Sequence, residues 1–176
     1  DVRRGSLSVP GGLAIHHDGE TEWIYVADLF TTRRVNARTG EAEIIEKSTG
    51  MATSAYPSSA TVNDKHLVLS SWFRSAVVVL DLETFAPVAE IGGLNTPHDA
   101  LEQDDGSLLI AETGANRLIL MSPKGDLVRV VAENLGAPIG LVQIDADTLY
   151  MTEAHAGTVA AISISTGERR QIAGGL

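Results

Sequence analysis

The chain of 176 residues has no cysteine. Disulfides, thiolate nucleophiles and cysteine-ligated zinc are excluded, and the redox compartment stays open, because a cysteine-free chain is compatible with any of them. Long uncharged apolar runs are missing, which excludes a transmembrane helix. No basic n-region leads into an apolar h-region, so no secretory signal is read. Asn36, Asn63, Asn95, Asn116 and Asn134 all lack a hydroxyl residue at +2, so there is no N-glycosylation sequon. Nucleophile elbows, P-loops, dinucleotide fingerprints and His-Glu-x-x-His are absent as well. Helical periodicity is weak throughout.

Positive charge is also in short supply. Lys and Arg number 13 against 23 Asp and Glu, a net charge of −10, with an isoelectric point near 4.8. Such a surface repels phosphate backbones, which argues against nucleic acid as a partner. It accepts neutral or cationic ligands and metal ions, and solubility alone would also account for it. Nothing points to a membrane. Hydrophobic residues make up 44% of the chain and mean hydropathy is +0.08, the balance of a folded domain rather than a disordered chain. One domain, or a fragment of one, is expected over 1–176. The first residue is Asp1, so a chain that is processed, trimmed or cut from something longer is expected.

What the sequence does have is a repeat. Pro10, Pro57, Pro97 and Pro138 are spaced by 47, 40 and 41 residues. Each leads to a buried apolar run that ends in a small or acidic residue: Ile24 to Asp28, Leu67 to Ser71, Leu108 to Glu112 and Leu149 to Glu153. Val, Ile, Leu, Thr and Tyr cluster in runs of strand length, broken by turn pairs such as Asp18-Gly19, Asp105-Gly106, Lys124-Gly125 and Thr166-Gly167. The third unit divides into strands near 99–101, 107–111, 117–121 and 127–132, and the fourth into 140–143, 148–152, 158–163 and 169–172. The second strand of each unit is apolar at successive positions, as expected of a strand covered on both faces. A repeat of about 40 residues built from four short strands predicts an all-β fold, a β-propeller of four-stranded antiparallel blades. Four blades are expected, at about 8–48, 55–92, 95–134 and 136–174. The first unit carries extra residues, His17 to Glu22, at its first turn.

Four blades in this phase expose an apolar face on the first and another on the fourth. The blades could close on themselves, two chains could close a larger ring by two-fold symmetry, or further blades could lie on another chain. Association is the outcome expected, as a homodimer completing a larger propeller.

Pro97-His98-Asp99-Ala100, Asp105 to Glu112 and Asn116-Arg117-Leu118 resemble the NHL repeat. They are also similar to blades of the gluconolactonase and senescence-marker-protein superfamily and of strictosidine-synthase-like proteins. Pro10 to Ala14 with Tyr25 to Asp28, and Pro138 to Leu141 with Tyr150 to Glu153, follow the same pattern. The resemblance implies a propeller that binds a protein, peptide or small ligand at its channel rim, or a metal-dependent hydrolase or lyase of the lactonase kind; a truncated propeller with a structural role only is the third reading. The lactonase metal site implied by the family uses a glutamate, an asparagine and an aspartate, and no asparagine occupies a matching position here. Peptide-amidating lyases bind zinc through histidine, and Pro97-His98-Asp99 resembles one piece of that pattern.

The first two strands of a blade are antiparallel, so the start of one lies beside the end of the other. Residues after each proline and after each second strand therefore gather on one rim. Asp28, Ser58, Ser71, Trp72, His98, Asp99, Glu112, Glu153 and His155 are expected there. His98, Asp99, Glu112 and Glu153 are the metal candidates, for calcium or zinc. Glu112, Glu153 and His98 are the catalytic candidates, and packing carboxylates together raises the pKa of some of them, as a general base requires. Asp28, Ser71, Trp72, Asp99 and His155 are the ligand-binding candidates. The competing reading is that an acid after the second strand, recurring blade by blade, caps the following turn. His98-Asp99 departs most from its counterparts, Gly11-Gly12, Ser58-Ser59 and Ile139-Gly140. Trp72-Phe73 is an aromatic pair that either lines a ligand site or packs on the next blade. His16 and His17 are expected on the surface, and His66 at an edge or on the surface.

Overall fold

A computed structural model describes residues 7–47 and 56–175. Its strands form four antiparallel sheets, each made of four consecutive strands in chain order. The first blade is β1 (Pro10–Asp18), β2 (Thr21–Asp28), β3 (Thr31–Asn36) and β4 (Ala42–Lys47). The second is β5 (Ser59–Val62), β6 (His66–Ser71), β7 (Ala76–Asp81) and β8 (Pro87–Ile91). The third is β9 (Pro97–Glu102), β10 (Leu108–Glu112), β11 (Arg117–Met121) and β12 (Leu127–Ala132). The fourth is β13 (Pro138–Gln143), β14 (Thr148–Glu153), β15 (Thr158–Ser163) and β16 (Arg169–Gly174). Among the described residues, helix is limited to one 3-10 turn, Thr113–Ala115. This is the all-β, four-bladed propeller architecture that the repeat predicts.

The prolines sit where a strand tolerates them. Pro10, Pro97 and Pro138 open β1, β9 and β13, where the missing N–H breaks no ladder bond. The residue before each of three prolines turns the chain through positive φ: Tyr56 at 60°, Thr96 at 52° and Ala137 at 59°. Each bend brings the incoming linker under the end of the blade's second strand. The extra residues of the first unit do not form a wide loop. Gly19, at φ 59°, lets the chain reverse between Asp18 and Thr21, which pair directly, and the ladder continues through His17↔Glu22 and His16↔Trp23.

Sheets pack face to face through three apolar cores. Tyr25, Ala27, Leu67, Leu69 and Leu80 fill the first. Val68, Val77, Val79, Leu108, Ile110 and Ile119 fill the second. Leu109, Ala111, Leu118, Leu149, Met151 and Ile162 fill the third. Leu109 and Ile110 thus serve different cores, because successive strand residues point to opposite faces. The first strands of neighbouring blades, β1, β5, β9 and β13, lie side by side. Blades one and two meet most tightly there: a Cβ on Gly11 would lie 2.5 Å from the Ser58 carbonyl oxygen, and one on Gly12 would lie 2.7 Å from the Ser59 Cα.

Among the described residues no apolar cluster joins the first blade to the fourth. Ala14 points into the first core while its neighbours Leu13 and Ile15, on the opposite face, are exposed, Leu13 by 64%. On blade four Leu141 is in the core and Val142 is 61% exposed. The apolar end faces expected from the repeat are present on both blades.

Candidate functional site

The acid that ends the second strand is occupied by the fold itself. Asp28 is buried and accepts hydrogen bonds from the backbone N–H groups of Ser8 at 2.9 Å and Val9 at 2.6 Å, with Arg33 Nε at 3.7 Å. Glu112, also buried, accepts from the Asn95 N–H at 2.7 Å and from Arg117 Nε at 2.5 Å. Buried Glu153 accepts from the Gly136 N–H and the Thr158 hydroxyl, both at 2.8 Å, and from Arg169. In blade two, Ser71 does the same job without charge. Its hydroxyl donates to the Tyr56 carbonyl at 2.8 Å and accepts from the Arg74 N–H at 3.2 Å. In every blade this side chain ties the end of the second strand to the linker that enters the first. Burial pushes the Glu153 carboxyl up, but its bonds to Arg169, the Gly136 N–H and Thr158, with the charge of Arg169, outweigh burial and hold it below the ordinary glutamate value.

These acids therefore meet arginines and backbone, not one another. Among the described residues no three His, Asp or Glu side chains converge as metal ligands do, and Asp28, Glu112 and Glu153 each already accept from a backbone N–H and face an arginine. This donor set does not fit a calcium or zinc ion.

Asp99 has a different task. It lies on β9, nearly buried. Its Oδ1 accepts from the Ser59 hydroxyl of blade two at 2.7 Å and from the Ala100 N–H at 3.0 Å, and its Oδ2 from the Leu141 N–H of blade four at 2.8 Å. One carboxyl thus clamps three adjacent first strands. Burial raises its pKa to about 6, against the lowering effect of the three hydrogen bonds. The departure from small residues at this position is explained: Asp99 is long enough to reach both neighbours, where Gly12 and Gly140 cannot.

His98, one residue earlier, faces the rim. Its ring stacks on Trp72, centroids 6.3 Å apart and planes 8° from parallel, and burial lowers its pKa. The stack is the end of a row. Trp72 meets Phe73 at 5.9 Å, Phe73 meets Tyr56 at 5.1 Å and Tyr56 meets Phe30 at 6.1 Å, all edge to face. The chain has only two Trp, three Tyr and three Phe, yet Phe30, Tyr56, Trp72 and Phe73 meet here. Phe30 is 50% exposed, Trp72 43% and Phe73 61%, and Tyr56 and His98 are half-buried. The row crosses three blades, from the turn after β2 to the start of β9.

The sequence placed Trp72, Phe73 and His98 on this rim and did not foresee Phe30 or Tyr56. Phe30 directly follows Asp28-Leu29, so position in the repeat could have found it. Tyr56 gives no such signal, because only the linker bend turns it toward Phe73. His155 lies exposed in the loop after β14, apart from the row.

The opposite rim is acidic and polar. His66 Nδ1 lies 2.8 Å from Glu102 Oε2, and Asn63 Nδ2 donates to the same oxygen at 2.8 Å. These residues border a cavity of about 380 Å³ that also touches Asp64, Asp104 and Asp105. His66 is thus half-buried and paired across two blades rather than free on the surface. Gln103 and Gln143 link blades three and four in the same belt at 3.0 Å.

Neither a family model nor a curated protein sequence matches the chain. Solved structures match it in fold. A streptogramin B lyase superposes with a TM-score of 0.71 at 16% identity, over 93% of this chain and 54% of that one. The chain of a nidogen–laminin complex gives 0.75 at 18% identity, over 96% and 64%. Hydrazine synthase of Kuenenia stuttgartiensis gives 0.71 at 21% identity, over 95% and 50%. This chain spans between half and two thirds of the length of these relatives. At such identities the likeness establishes the β-propeller fold alone, and carries neither an activity nor the gluconolactonase-like assignment.

Proposed function

We propose that this chain is a binding module of the β-propeller class whose rim, along Phe30, Tyr56, Phe73, Trp72 and His98, docks a partner polypeptide. The observation that carries the reading is the row of rings itself. Half of a small aromatic complement is gathered on one rim and left in reach of solvent, and contiguous exposed apolar surface of this kind marks interaction sites. Trp and Tyr supply large, rigid contact area at low entropic cost. One structure of the same fold comes from a nidogen–laminin complex, an assembly of proteins, which supports the use of such a scaffold for protein binding.

A metal-dependent hydrolase or lyase would need Glu112 and Glu153 free to bind an ion or move a proton, and each already serves an arginine and a backbone N–H. The lyases of this fold keep that alternative in view. The residues here favour binding.

Panning a random peptide library displayed on phage against the intact chain tests the reading. Enriched peptides are expected to lose binding to the Trp72→Ala variant and to keep it with Asp145→Asn, at the opposite rim. Enrichment that Trp72→Ala leaves untouched would remove the rim from consideration.

A further inference from the structure

We propose that the segment docked on this rim is an extended, uncharged, proline-rich stretch of polypeptide; the inference rests on the rim being the docking surface. Charge is the first reason. On this rim Asp28, Glu112 and Glu153 are each paired with an arginine of their own blade, Asp99 beside His98 is buried and accepts three hydrogen bonds, and burial favours the neutral imidazole at His98. A cationic ligand finds no free carboxylate among these groups to reinforce a cation–π contact, and an anionic one approaches a chain of net charge −10.

Shape is the second reason. The rings meet edge to face one after another, from Phe30 through Tyr56 and Phe73 to Trp72. A small molecule needs a concave site that envelops most of its surface. An extended chain can lie along a row. Neighbouring rings are 5.1 to 6.3 Å apart, so successive residues of an extended segment, which advance about 3.1 Å each in a polyproline II helix, can meet one ring after another.

Polarity is the third. The Trp72 indole N–H has no partner among the described residues and a neutral His98 adds one donor. Proline offers carbonyl acceptors and no backbone N–H in return, so a rim that presents donors between apolar rings suits it. A polyproline II segment is also ordered before it binds, which lowers the entropic cost of docking on aromatic surfaces.

Calorimetric titration of the intact chain with an uncharged oligoproline peptide tests the inference. Parallel titrations use a proline-free uncharged apolar peptide of equal length, a lysine-rich peptide and phosphatidylcholine vesicles. Saturable binding of oligoproline, unchanged by added salt and weakened about tenfold or more by Trp72→Ala, is expected for loss of a central aromatic contact. Phe73→Ala, at a more exposed ring, provides a second variant that retains the fold. If the proline-free peptide binds through Trp72 and oligoproline does not, the proline class is wrong and the rim reading stands. Preference for the lysine-rich peptide, with affinity falling as salt rises, overturns the neutral-ligand chemistry, and partition into vesicles overturns the peptide. Silence from every probe overturns both the inference and the rim reading.

Discussion

The two rims of the propeller are built from the same repeat and use their acids in opposite ways. On the rim where the second strands end, Asp28, Glu112 and Glu153 are buried, paired with arginine and bonded to linker N–H groups, and the aromatic row reaches solvent. On the rim of the hairpin turns, Asp81, Asp105, Asp145 and Asp147 are solvated and bond the hydroxyls and N–H groups of their own or adjacent turns. Those bonds hold their carboxyls below the ordinary aspartate value, led by the Thr84 side chain at Asp81, the Ser107 side chain at Asp105, the Asp147 N–H at Asp145 and the Ser165 group at Asp147. The difference teaches that the acidity of this chain, taken as a whole, says little about its ligand. Four of the solvated acids serve turn geometry, and the rim proposed for docking is where carboxylates are paired with arginine.

Four substitutions sharpen or break that contrast. Glu153→Ala should cost the most. It leaves the Arg169 guanidinium, the Gly136 N–H and the Thr158 hydroxyl without their acceptor, a loss of about 2–3 kcal/mol in urea unfolding for a buried, partly solvent-reached pair. A negligible loss would mean the acid is free for a ligand, and the contrast would fail.

Asp99 gives a pH signature next in size. Its folded carboxyl, at about 6, holds its proton more tightly than in the unfolded chain, so lowering the pH from neutral favours the folded state. The gain in wild type relative to Asp99→Asn should be about 1 kcal/mol between pH 7 and pH 5, read from paired urea midpoints. A difference that stays flat would show that the clamp does not titrate there.

Asp105→Ala, on the turn rim, should lower stability by less than either. Because its folded carboxyl is held low, its contribution is present at neutral pH and fades as the pH falls through and below the ordinary aspartate range. Melting curves at neutral and acid pH check both the size and the sign.

Phe73→Ala should change stability least, within about 0.5 kcal/mol for an exposed ring, while removing peptide binding. A large loss of stability would make the row a packing feature.

The blades were legible in the sequence to within a few residues. Leu108-Leu109-Ile110-Ala111 and Leu149-Tyr150-Met151-Thr152 are strands because apolar runs of that length, bounded by turns, have to be covered. In the third blade both faces of the second strand are covered. In the fourth, Leu149 and Met151 enter the third core and Tyr150 lies on the end face. The candidate site was legible in part. Trp72, Phe73 and His98 follow from repeat position. The fate of the acids did not, because sequence shows that Glu112 and Glu153 recur and cannot show that Arg117 and Arg169 reach them.

By itself the sequence determined the period, the strand content and the side of each blade on which loops gather, since these depend on local pattern and chain reversal. Only the tertiary structure decided that Asp99 joins three blades, that the recurring acids are closed by arginine, and that Phe30 and Tyr56 complete the aromatic row. The clamp and the row depend on contacts between residues 17 to 42 positions apart, set by how blades stack, and the arginine closures, 5 to 16 positions apart, depend on which side chains neighbouring strands bring together.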